Sequence, residues 1–231
     1  MYYDLHIHST LSACADDDMT PNNIINMAVL KGLDLIAVCD HNTTKQQAGL
    51  AKAASGKNIS LIYGIEVQTK EEIHVLAYFK ELCDCKAFGK LIDEKIPAIK
   101  NNPQYFGHQY VVDIYDKVVY QEECLLLNSV NMTIEEVEIA VHKYHGSFVL
   151  AHALDRQNSI ITQLGFIPLH LKIDAVEIKN IQQKEILLAN HKWLKDTIWL
   201  INSDAHQLKD INERVNKITD QELKRLLRNE S

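Results

Sequence analysis

The sequence has no long apolar segment. Its longest uninterrupted apolar runs, Leu35 to Cys39 and Val75 to Phe79, are five residues each, whereas a helix that spans a bilayer needs roughly 20. The first ten residues, MYYDLHIHST, carry neither a basic segment nor an apolar segment followed by a small-residue cleavage site, as a secretory signal would. We therefore expect no membrane-spanning segment and a cytoplasmic location.

Glycine and proline are also scarce, at 8 and 4 of 231 residues. This composition excludes a collagen-like chain, and the sequence contains no repeat, low-complexity tract or Gly/Ser-rich linker. Hydrophobic residues make up 46% and charged residues 24%, which are values typical of a globular protein. We predict one folded domain over residues 1–231.

Positive charge is in deficit, because 24 Lys and Arg face 31 Asp and Glu, for a formal net charge of −7. That sign disfavours general binding to a nucleic-acid backbone, so any such contact must be local. The cysteines are odd in number and lack the paired CxxC spacing of a structural zinc site. We interpret them as reduced thiols; they are Cys14, Cys39, Cys83, Cys85 and Cys124.

Apolar runs rich in β-branched residues alternate with longer amphipathic stretches along the chain. This pattern is typical of βα units around a largely parallel sheet. Seven strands are predicted, at Tyr2 to Ile7, Asp34 to Cys39, Ile59 to Ile65, Ile73 to Phe79, Ser147 to Ala151, Ala175 to Lys179 and Ile198 to Asn202.

Capping signals predict where several helices begin. Thr20 followed by Pro21 indicates an N-cap and a first helical residue, and Gly32 ends that helix. The segments Thr43 to Gln46 and Thr133 to Glu136 have the spacing of a capping box, so each predicts a helix start.

Residues 80–132 interrupt the alternation of strands and helices. They contain Pro97 and Pro103, followed by YVVDIYDKVVY, which predicts a short hairpin that turns near Tyr115 and Asp116. We interpret this stretch as an insertion between the fourth and fifth strands, forming a helical and hairpin cap over one end of the sheet.

Histidine is unusually frequent, with 11 residues against 9 tyrosines and 5 phenylalanines. Potential metal ligands cluster at, or just past, the carboxyl ends of predicted strands. In a closed α/β barrel these strand ends open onto one face, so residues 200 apart in sequence can meet there. The residues in such positions are His6, His8, Asp40, His41, Glu66, His152, Asp204 and His206.

Two of these positions are pairs with a spacing of two. His6 and His8 point to the same side of an extended strand, so both imidazoles can bind one ion. Asp204 and His206 repeat the spacing with one oxygen and one nitrogen ligand. Gathering so many carboxylates and imidazoles without a counter-ion would cost substantial free energy, so the sequence predicts a metal centre at this rim.

Six short motifs together resemble the polymerase and histidinol phosphatase family, called PHP, in order and spacing along almost the whole chain. The resemblance implies an α/β fold, a distorted, TIM-like (β/α)7 barrel whose rim binds two or three divalent ions and hydrolyses phosphate esters. The motifs are DLHIHS at 4–9, CDHN at 39–42, GIE at 64–66, IHVLAY at 73–78, AH at 151–152 and SDAH at 203–206.

The resemblance also implies a set of metal ligands divided among three ions, with Glu66 as a bridge. The implied ligands are His6, His8, Glu66 and Asp204 for the first ion, Glu66, His74 and His152 for the second, and His41 and His206 with an acidic residue of the first loop for the third.

The first loop departs from the family pattern. The family commonly has Ser-Asp-Gly soon after HxHS, whereas this chain has SACADDDMTP. Counting back five residues from Pro21, as the family spacing suggests, selects Asp16 as the acidic ligand, while Asp17 and Asp18 stay open. Cys14 lies in the same loop but has no equivalent in the motif, so we treat it as incidental.

We predict a metal-dependent phosphoesterase that uses a metal-activated hydroxide. Mixed imidazole and carboxylate ligands suit Zn, Mn or Fe(II) better than Ca or Mg alone. A histidine such as His206, or a water, is predicted to protonate the leaving group. Arg156, four residues after His152, is predicted to hold the phosphate; the alternative is a solvated loop arginine, and Lys179 is a weaker candidate for the same role.

The predicted substrate is a phosphate monoester or diester on a small nucleotide, an oligonucleotide end or another small phosphate. No membrane or protein partner is indicated. One alternative is an amidohydrolase-type enzyme that cleaves C–N bonds at the same metals and has no need of Arg156. The other is a metal-stabilised regulatory domain without turnover. Asp4 and Asp40 stand beside predicted ligands and either orient imidazoles or cap strand ends.

Overall fold

The computed structural model describes residues 1–155 and 157–228. The strands are β1 Tyr3–Ile7, β2 Leu35–Val38, β3 Ser60–Gln68, β4 His74–Phe79, β5 Tyr110–Val112, β6 Val118–Gln121, β7 Ser147–Leu150, β8 Ala175–Glu177 and β9 Ile198–Leu200. The α-helices are α1 Pro21–Leu30, α2 Gln47–Ala54, α3 Leu82–Asp93, α4 Pro103–Phe106, α5 Ile134–Lys143, α6 Ile160–Leu164, α7 Ile181–Asn190 and α8 Asp220–Leu226. Short 3₁₀ turns lie at Lys192–Asp196 and Leu208–Asp210.

All seven predicted strands belong to one sheet, in the order β1-β2-β3-β4-β7-β8-β9. The sheet curls so that its first strand contacts the segment after its last: Ile7 and Ala205 form a parallel bridge, and the His8 N–H donates to the Ala205 carbonyl at 2.9 Å. The predicted α/β fold, a distorted seven-stranded barrel, is confirmed.

One strand runs against the direction of the others. β4 pairs antiparallel with both β3 and β7, while the remaining neighbours are parallel. Only residues 69–73 join β3 to β4, too few for the crossover helix that a parallel connection requires. The expected repeat of strand and helix therefore fails here. His74 begins its strand, yet it reaches the same rim as the residues that end theirs.

The inside of the barrel is filled with apolar side chains to which all seven strands contribute. The register of β1 against β2 shifts between Asp4 and Ile7, so Leu5 joins this interior cluster while Ile7 packs with the helices outside. Because the interior is solid, polar chemistry is confined to the rim. The residues of the interior cluster that lie in these strands, or one residue past them, are Tyr3, Leu5, Leu35, Ala37, Cys39, Ile62, Leu76, Tyr78, Val149, Ala151, Ala175, Ile198 and Leu200.

Two of the three predicted helix starts are confirmed. Thr20 caps α1, and Thr133 and Glu136 form a reciprocal capping box at the start of α5. The start predicted from Thr43 to Gln46 is wrong, because α2 begins only at Gln47. The Gln46 side chain is used elsewhere.

Gln46 holds the insertion in place. Its amide donates to the Val112 carbonyl at 2.9 Å and accepts from the Val112 N–H at 3.0 Å, which leaves no oxygen to cap α2. The predicted hairpin is present as β5 and β6. Nearby, the Tyr110 N–H donates to the Thr10 carbonyl at 2.8 Å, so the insertion lies against the loop that follows β1.

No helix in the described part of the chain is long and apolar enough to cross a membrane.

Candidate metal centre

Glu66, in β3, lies at the centre of five histidines at the rim of the barrel. The residue is 1% exposed, and among the described residues neither of its carboxylate oxygens has a hydrogen-bond partner. The nitrogens nearest to Oε1 belong to His74 at 3.0 Å, His152 at 3.3 Å and His6 at 3.4 Å, and those nearest to Oε2 belong to His41 at 3.0 Å and His8 at 3.4 Å.

The first strand directs two imidazole nitrogens at one point. His6 Nδ1 lies 3.1 Å from a carboxylate oxygen of Glu177, to which it donates its proton. His8 Nδ1 lies 3.0 Å from Ser12 Oγ, and that hydroxyl donates to Asp40 at 2.8 Å, so it accepts from His8. When each ring is neutral, these networks place its proton on Nδ1 and leave a free lone pair on Nε2.

The two Nε2 atoms lie 3.2 Å apart. Oδ1 of Asp204 completes the group, 3.3 Å from His6 Nε2 and 3.1 Å from His8 Nε2. With both Nδ1 protons engaged outward, lone pairs and carboxylates face each other across a small space, an arrangement that a cation stabilises.

The reversed strand supplies the second part of the cluster. The outer nitrogen of His74, Nε2, contacts Gln68 Oε1 at 3.2 Å and Asn158 Nδ2 at 3.0 Å. Its inner nitrogen, Nδ1, lies 3.3 Å from His152 Nε2 and also faces Glu66. His74 therefore presents Nδ1 to the cluster.

Three sets of donors have ligand atoms within 4.8 Å of one another. These sets contain Glu66 and all the predicted histidine ligands except His152. His152 and Asp204 belong to none of the sets but contact their members. His41 occurs in two sets, one with its predicted partner His206 and one with Glu66 and His74. The sets are His6, His8 and Glu66; His41, Glu66 and His74; and His8, His41 and His206.

Two predicted ligands occupy strained backbone conformations. Asp204 has φ 54° and His152 has φ 28°, in the left-handed region that residues with a Cβ rarely adopt. Such strain is often held at functional sites by the surrounding structure. Here the Asp4 carboxylate accepts from the N–H groups of Ser203 at 3.0 Å and Asn212 at 2.9 Å, which fixes the loop on both sides of Asp204.

Asp4 thus secures the backbone, and Asp40 acts on an imidazole only through Ser12. The acceptor that touches an imidazole directly is Glu177, which our sequence analysis missed. Besides His6, it accepts from the His152 N–H at 2.9 Å and from Asn202 Nδ2 at 2.6 Å. Its signal in the sequence is a single carboxylate within the apolar strand AVEIK.

Close packing of opposite charge shifts the ionisation of the cluster. Burial by itself raises the pKa of Glu66, but the charges of His74, His6 and His41 bring it well below its usual range. Burial lowers the pKa of His6, and the carboxylates of Glu177, Asp204 and Glu66 outweigh that effect, so the pKa rises well above 6.5. The carboxylates of the cluster thus favour a positive charge beside them.

His8 shows the opposite behaviour. Its burial, followed by the charge of His41, lowers its pKa to about 3, so the ring is neutral at physiological pH. A neutral imidazole with a free Nε2 is the form that binds a metal.

Asp16 is not among the residues brought together. The Asp16 N–H donates to the His206 carbonyl at 3.0 Å, but the residue is exposed and belongs to none of the three donor sets. Asp17 pairs with His108 at 2.9 Å instead. Arg156 lies outside the described residues. As metal ligand and phosphate-binding residue, Asp16 and Arg156 stay predictions.

Cys14, which we treated as incidental, lies at the site. It lines the cavity above the cluster together with His41 and His206. Burial tends to raise the pKa of this thiol, but the neighbouring His41 and His206 side chains lower it to about 7.

The cavity has a volume of about 890 Å³, within the range of small-molecule binding pockets. The cluster forms its floor. Amides and a single Lys–Asp pair supply most of the polar wall, and Lys179 Nζ lies 2.7 Å from Asp155 Oδ2. The described wall residues are Gln68, Leu127, Leu154, Asp155, Gln157, Asn158, Lys179 and Gln183.

A family model for the PHP domain matches residues 4–225. The chain belongs to the PHP domain family. The resemblance drawn from six motifs is confirmed, and so is the prediction of a metal-dependent phosphoesterase. The donor sets at the rim of this PHP domain fit the metal dependence, while the number and identity of the ions stay predictions.

Curated relatives match part of this PHP domain. It is 36% identical over 77 residues to a 5'-3' exoribonuclease of Haemophilus influenzae, covering 32% of this chain and 27% of that protein. It is 33% identical over 76 residues to a 3',5'-nucleoside bisphosphate phosphatase of Chromobacterium violaceum, covering 32% and 26%. The match thus spans about a quarter of each relative's length.

Solved structures match nearly the whole PHP domain. The lesion-specific endonuclease PfuEndoQ of Pyrococcus furiosus superposes with a TM-score of 0.72 at 20% identity, over 98% of this chain and 55% of that one. A Bifidobacterium adolescentis protein described as a metal-dependent phosphoesterase gives a TM-score of 0.64 at 18% identity, over 97% and 95%. At these identities the likeness establishes the fold.

Proposed function

We propose that this PHP domain hydrolyses the phosphate ester of a nucleotide or of the end of a short oligonucleotide. The observation that carries the proposal is the buried Glu66 carboxylate, whose two unpartnered oxygens face five imidazoles. Such a donor set fits two or three ions of Zn, Mn or Fe(II).

The chain offers ligands on both sides of Glu66. His6, His8 and Asp204 would hold one ion, and His74 with His152 or His41 would hold the next. Bound there, divalent ions supply Lewis acidity and lower the pKa of water toward neutrality.

The two roles predicted for His206 compete for one nitrogen. His206 Nδ1 lies 2.7 Å from the Asp204 carbonyl oxygen, to which it donates its proton. Only Nε2 is left, and it can either bind an ion or carry a proton to the leaving group. We propose that Nε2 binds the ion, which leaves protonation of the leaving group to solvent.

Lys179 is the only lysine or arginine among the described residues that line the cavity. Its side chain is 65% exposed and paired with Asp155, so it can turn to a phosphate without losing a buried ion pair. We propose that it holds a non-reacting phosphate oxygen. Asp155 and Gln157, the neighbours of Arg156, also line the cavity, which supports the same role for Arg156.

The size of the cavity and the net charge of −7 favour a small substrate over a long duplex. An exoribonuclease and a nucleoside bisphosphate phosphatase among the relatives point to a nucleotide moiety in the substrate. A single lysine in the described wall suits one phosphate beside the scissile group.

The test is an assay of the purified protein with Mn²⁺ or Zn²⁺ against nucleotides, nucleoside bisphosphates, sugar phosphates, histidinol phosphate and short oligonucleotides. We expect metal-dependent release of phosphate or of a nucleotide, abolished in Glu66→Ala. Glu138→Gln is the matched control, because Glu138 is a buried glutamate paired with His142 at 2.6 Å outside the site.

Other outcomes of the same assay would refute the proposal. Hydrolysis of amide substrates without any action on phosphate compounds would identify an amidohydrolase. Inactivity toward both classes, in protein that binds metal, would identify a regulatory domain.

A further inference from the structure

Two side-chain amides contact the same ring nitrogen of His74. Its Nε2 lies 3.2 Å from Gln68 Oε1 and 3.0 Å from Asn158 Nδ2. An amide oxygen accepts hydrogen bonds, whereas an amide nitrogen donates them. One ring nitrogen cannot donate a proton to Gln68 and accept one from Asn158 at the same time, so the two contacts require different tautomers of the ring.

Strand pairing places Gln68 beside His74. The two residues lie directly opposite each other in the antiparallel ladder of β3 and β4, so their side chains share one face of the sheet. The Gln68 amide is also oriented, because its Nε2 donates to Ser129 Oγ at 3.1 Å and its Oε1 is left for His74. The Gln68 backbone N–H donates to Asn42 Oδ1 at 3.0 Å, and its carbonyl accepts from the Val130 N–H at 2.8 Å. Gln68 is therefore a fixed acceptor.

Asn158 reaches the same nitrogen from the segment between β7 and α6. Its backbone carbonyl accepts from the His74 N–H at 2.8 Å, which anchors this segment to the start of β4. The residue has φ 52°, in the left-handed region that asparagine adopts more readily than most residues, and it lines the cavity. The backbone of Asn158 is thus held at His74, while its amide can turn toward the cavity.

The inner nitrogen of His74 decides which tautomer is present. This nitrogen, Nδ1, lies 3.0 Å from Glu66 Oε1 and 3.3 Å from His152 Nε2. Without an ion, the Glu66 carboxylate attracts a proton on Nδ1, and Nε2 is then free to accept from Asn158. A nitrogen that binds an ion must present its lone pair, so with an ion on Nδ1 the proton belongs on Nε2, where Gln68 is the acceptor.

We propose that His74 changes tautomer when its Nδ1 binds an ion. Gln68 is the positioning residue that holds the proton on Nε2 in the metal-bound state, and Asn158 stabilises the metal-free tautomer. The ring stays neutral throughout: Nδ1 loses a proton to solvent, Nε2 gains one from solvent, and none is released overall. The inference rests on the metal centre of the proposed function but does not depend on its substrate.

The test is nitrogen NMR of the histidine rings with and without Zn²⁺, because the chemical shift of each ring nitrogen tells whether it carries a proton. We expect the His74 proton on Nδ1 in chelator-treated protein and on Nε2 in zinc-bound protein. Asn158→Gly suits the positive φ and removes the donor to Nε2, so it should increase the share of the Nε2–H tautomer without metal. The ring of His142, which lies between Glu138 and Asp174, is the internal control and should not change.

Gln68→Met keeps the length of the side chain but removes the acceptor. We expect one Zn²⁺ ion to bind at least tenfold more weakly, because the Nε2 proton that binding requires loses its partner. Gln183→Met is the matched control: Gln183 lines the same cavity, but its Oε1 accepts from the Lys179 N–H at 2.8 Å.

A conservative variant separates the hydrogen bond from general effects on stability. Gln68→Glu restores an acceptor opposite His74 and should regain native zinc affinity. Gln183→Glu, added to Gln68→Met, brings the same charge to the cavity wall without that acceptor and should not restore it. Circular dichroism verifies that each variant is folded.

A His74 proton on the same nitrogen with and without Zn²⁺, or native zinc affinity in Gln68→Met, would overturn the inference. An equal loss of affinity in Gln183→Met would overturn it too, because the effect would not be specific to the acceptor at His74. These readouts report the ring proton and metal binding alone. Protein that shows the change of tautomer but cleaves no phosphate compound would refute the proposed function and leave the inference standing.

Discussion

Replacing Glu177 with glutamine tests how the protein orients its metal ligands. Glu177 is 3% exposed and is surrounded by donors: His6 Nδ1 at 3.1 Å, the His152 N–H at 2.9 Å and Asn202 Nδ2 at 2.6 Å. Glutamine keeps the shape but turns one oxygen into an NH₂ group. That group must face one of these donors, and the negative charge that increases the basicity of His6 is lost.

We expect Glu177→Gln to weaken metal binding about 10- to 100-fold, the usual effect of changing a partner of a ligand histidine. This corresponds to about 1.4 to 2.8 kcal/mol of binding free energy. Competition against a chromophoric chelator, or calorimetry with Mn²⁺ or Zn²⁺, measures the change.

Glu138→Gln is again the control, since it removes a buried Glu–His pair without touching the rim. Native affinity in Glu177→Gln would refute the reasoning. An equal loss in Glu138→Gln would refute it too, because the effect would then reflect general destabilisation.

Three further results are expected. Lys179→Met should lower kcat/KM about tenfold, mainly through KM, because one charge-assisted hydrogen bond to phosphate is lost, and steady-state kinetics with native KM would contradict this. Gly107→Ala should lower the free energy of unfolding in urea by more than Gly56→Ala. Both glycines have positive φ, of 102° and 75°, which costs alanine about 1 to 2 kcal/mol, but only at Gly107 does the new Cβ also overlap backbone. Equal losses in the two variants would show that the insertion does not pack against Ala13 there. In chelator-treated protein, burial lowers the pKa of His6 but its carboxylate partners raise it well above 6.5, so protonated His6 stabilises the folded state. That stabilisation is complete below pH 6.5 and is lost as pH rises through the raised pKa, so the Tm should fall from pH 6 to pH 9. Saturating Mn²⁺ should remove the fall, and a flat Tm without metal would contradict the assignment.

The grouping of donor side chains at one rim was predictable from the sequence because it follows simple geometry. The spacing of two in His6 and His8 places both rings on one side of a strand, and the parallel strands bring their carboxyl ends to one rim. Glu66 and Asp204 follow from the same rule.

Features set by tertiary contacts were not predictable in this way. The reversal of β4 depends on the short connection 69–73, so His74 reaches the rim from the start of its strand. Gln46 fits a capping box by spacing but pairs with Val112. The positions of Cys14 and Glu177 depend on loops and strands packed from distant parts of the chain, which local patterns do not encode.

Metal content per chain shows whether the rim of the barrel binds ions. After saturation with Mn²⁺ or Zn²⁺ and removal of free metal, elemental analysis of the native protein should find two or three ions per chain. His6→Ala and Glu66→Ala should both bind fewer, with the larger loss in Glu66→Ala because that carboxylate faces all five imidazoles. A native protein that retains no ion, or variants that retain as many as the native chain, would contradict the account.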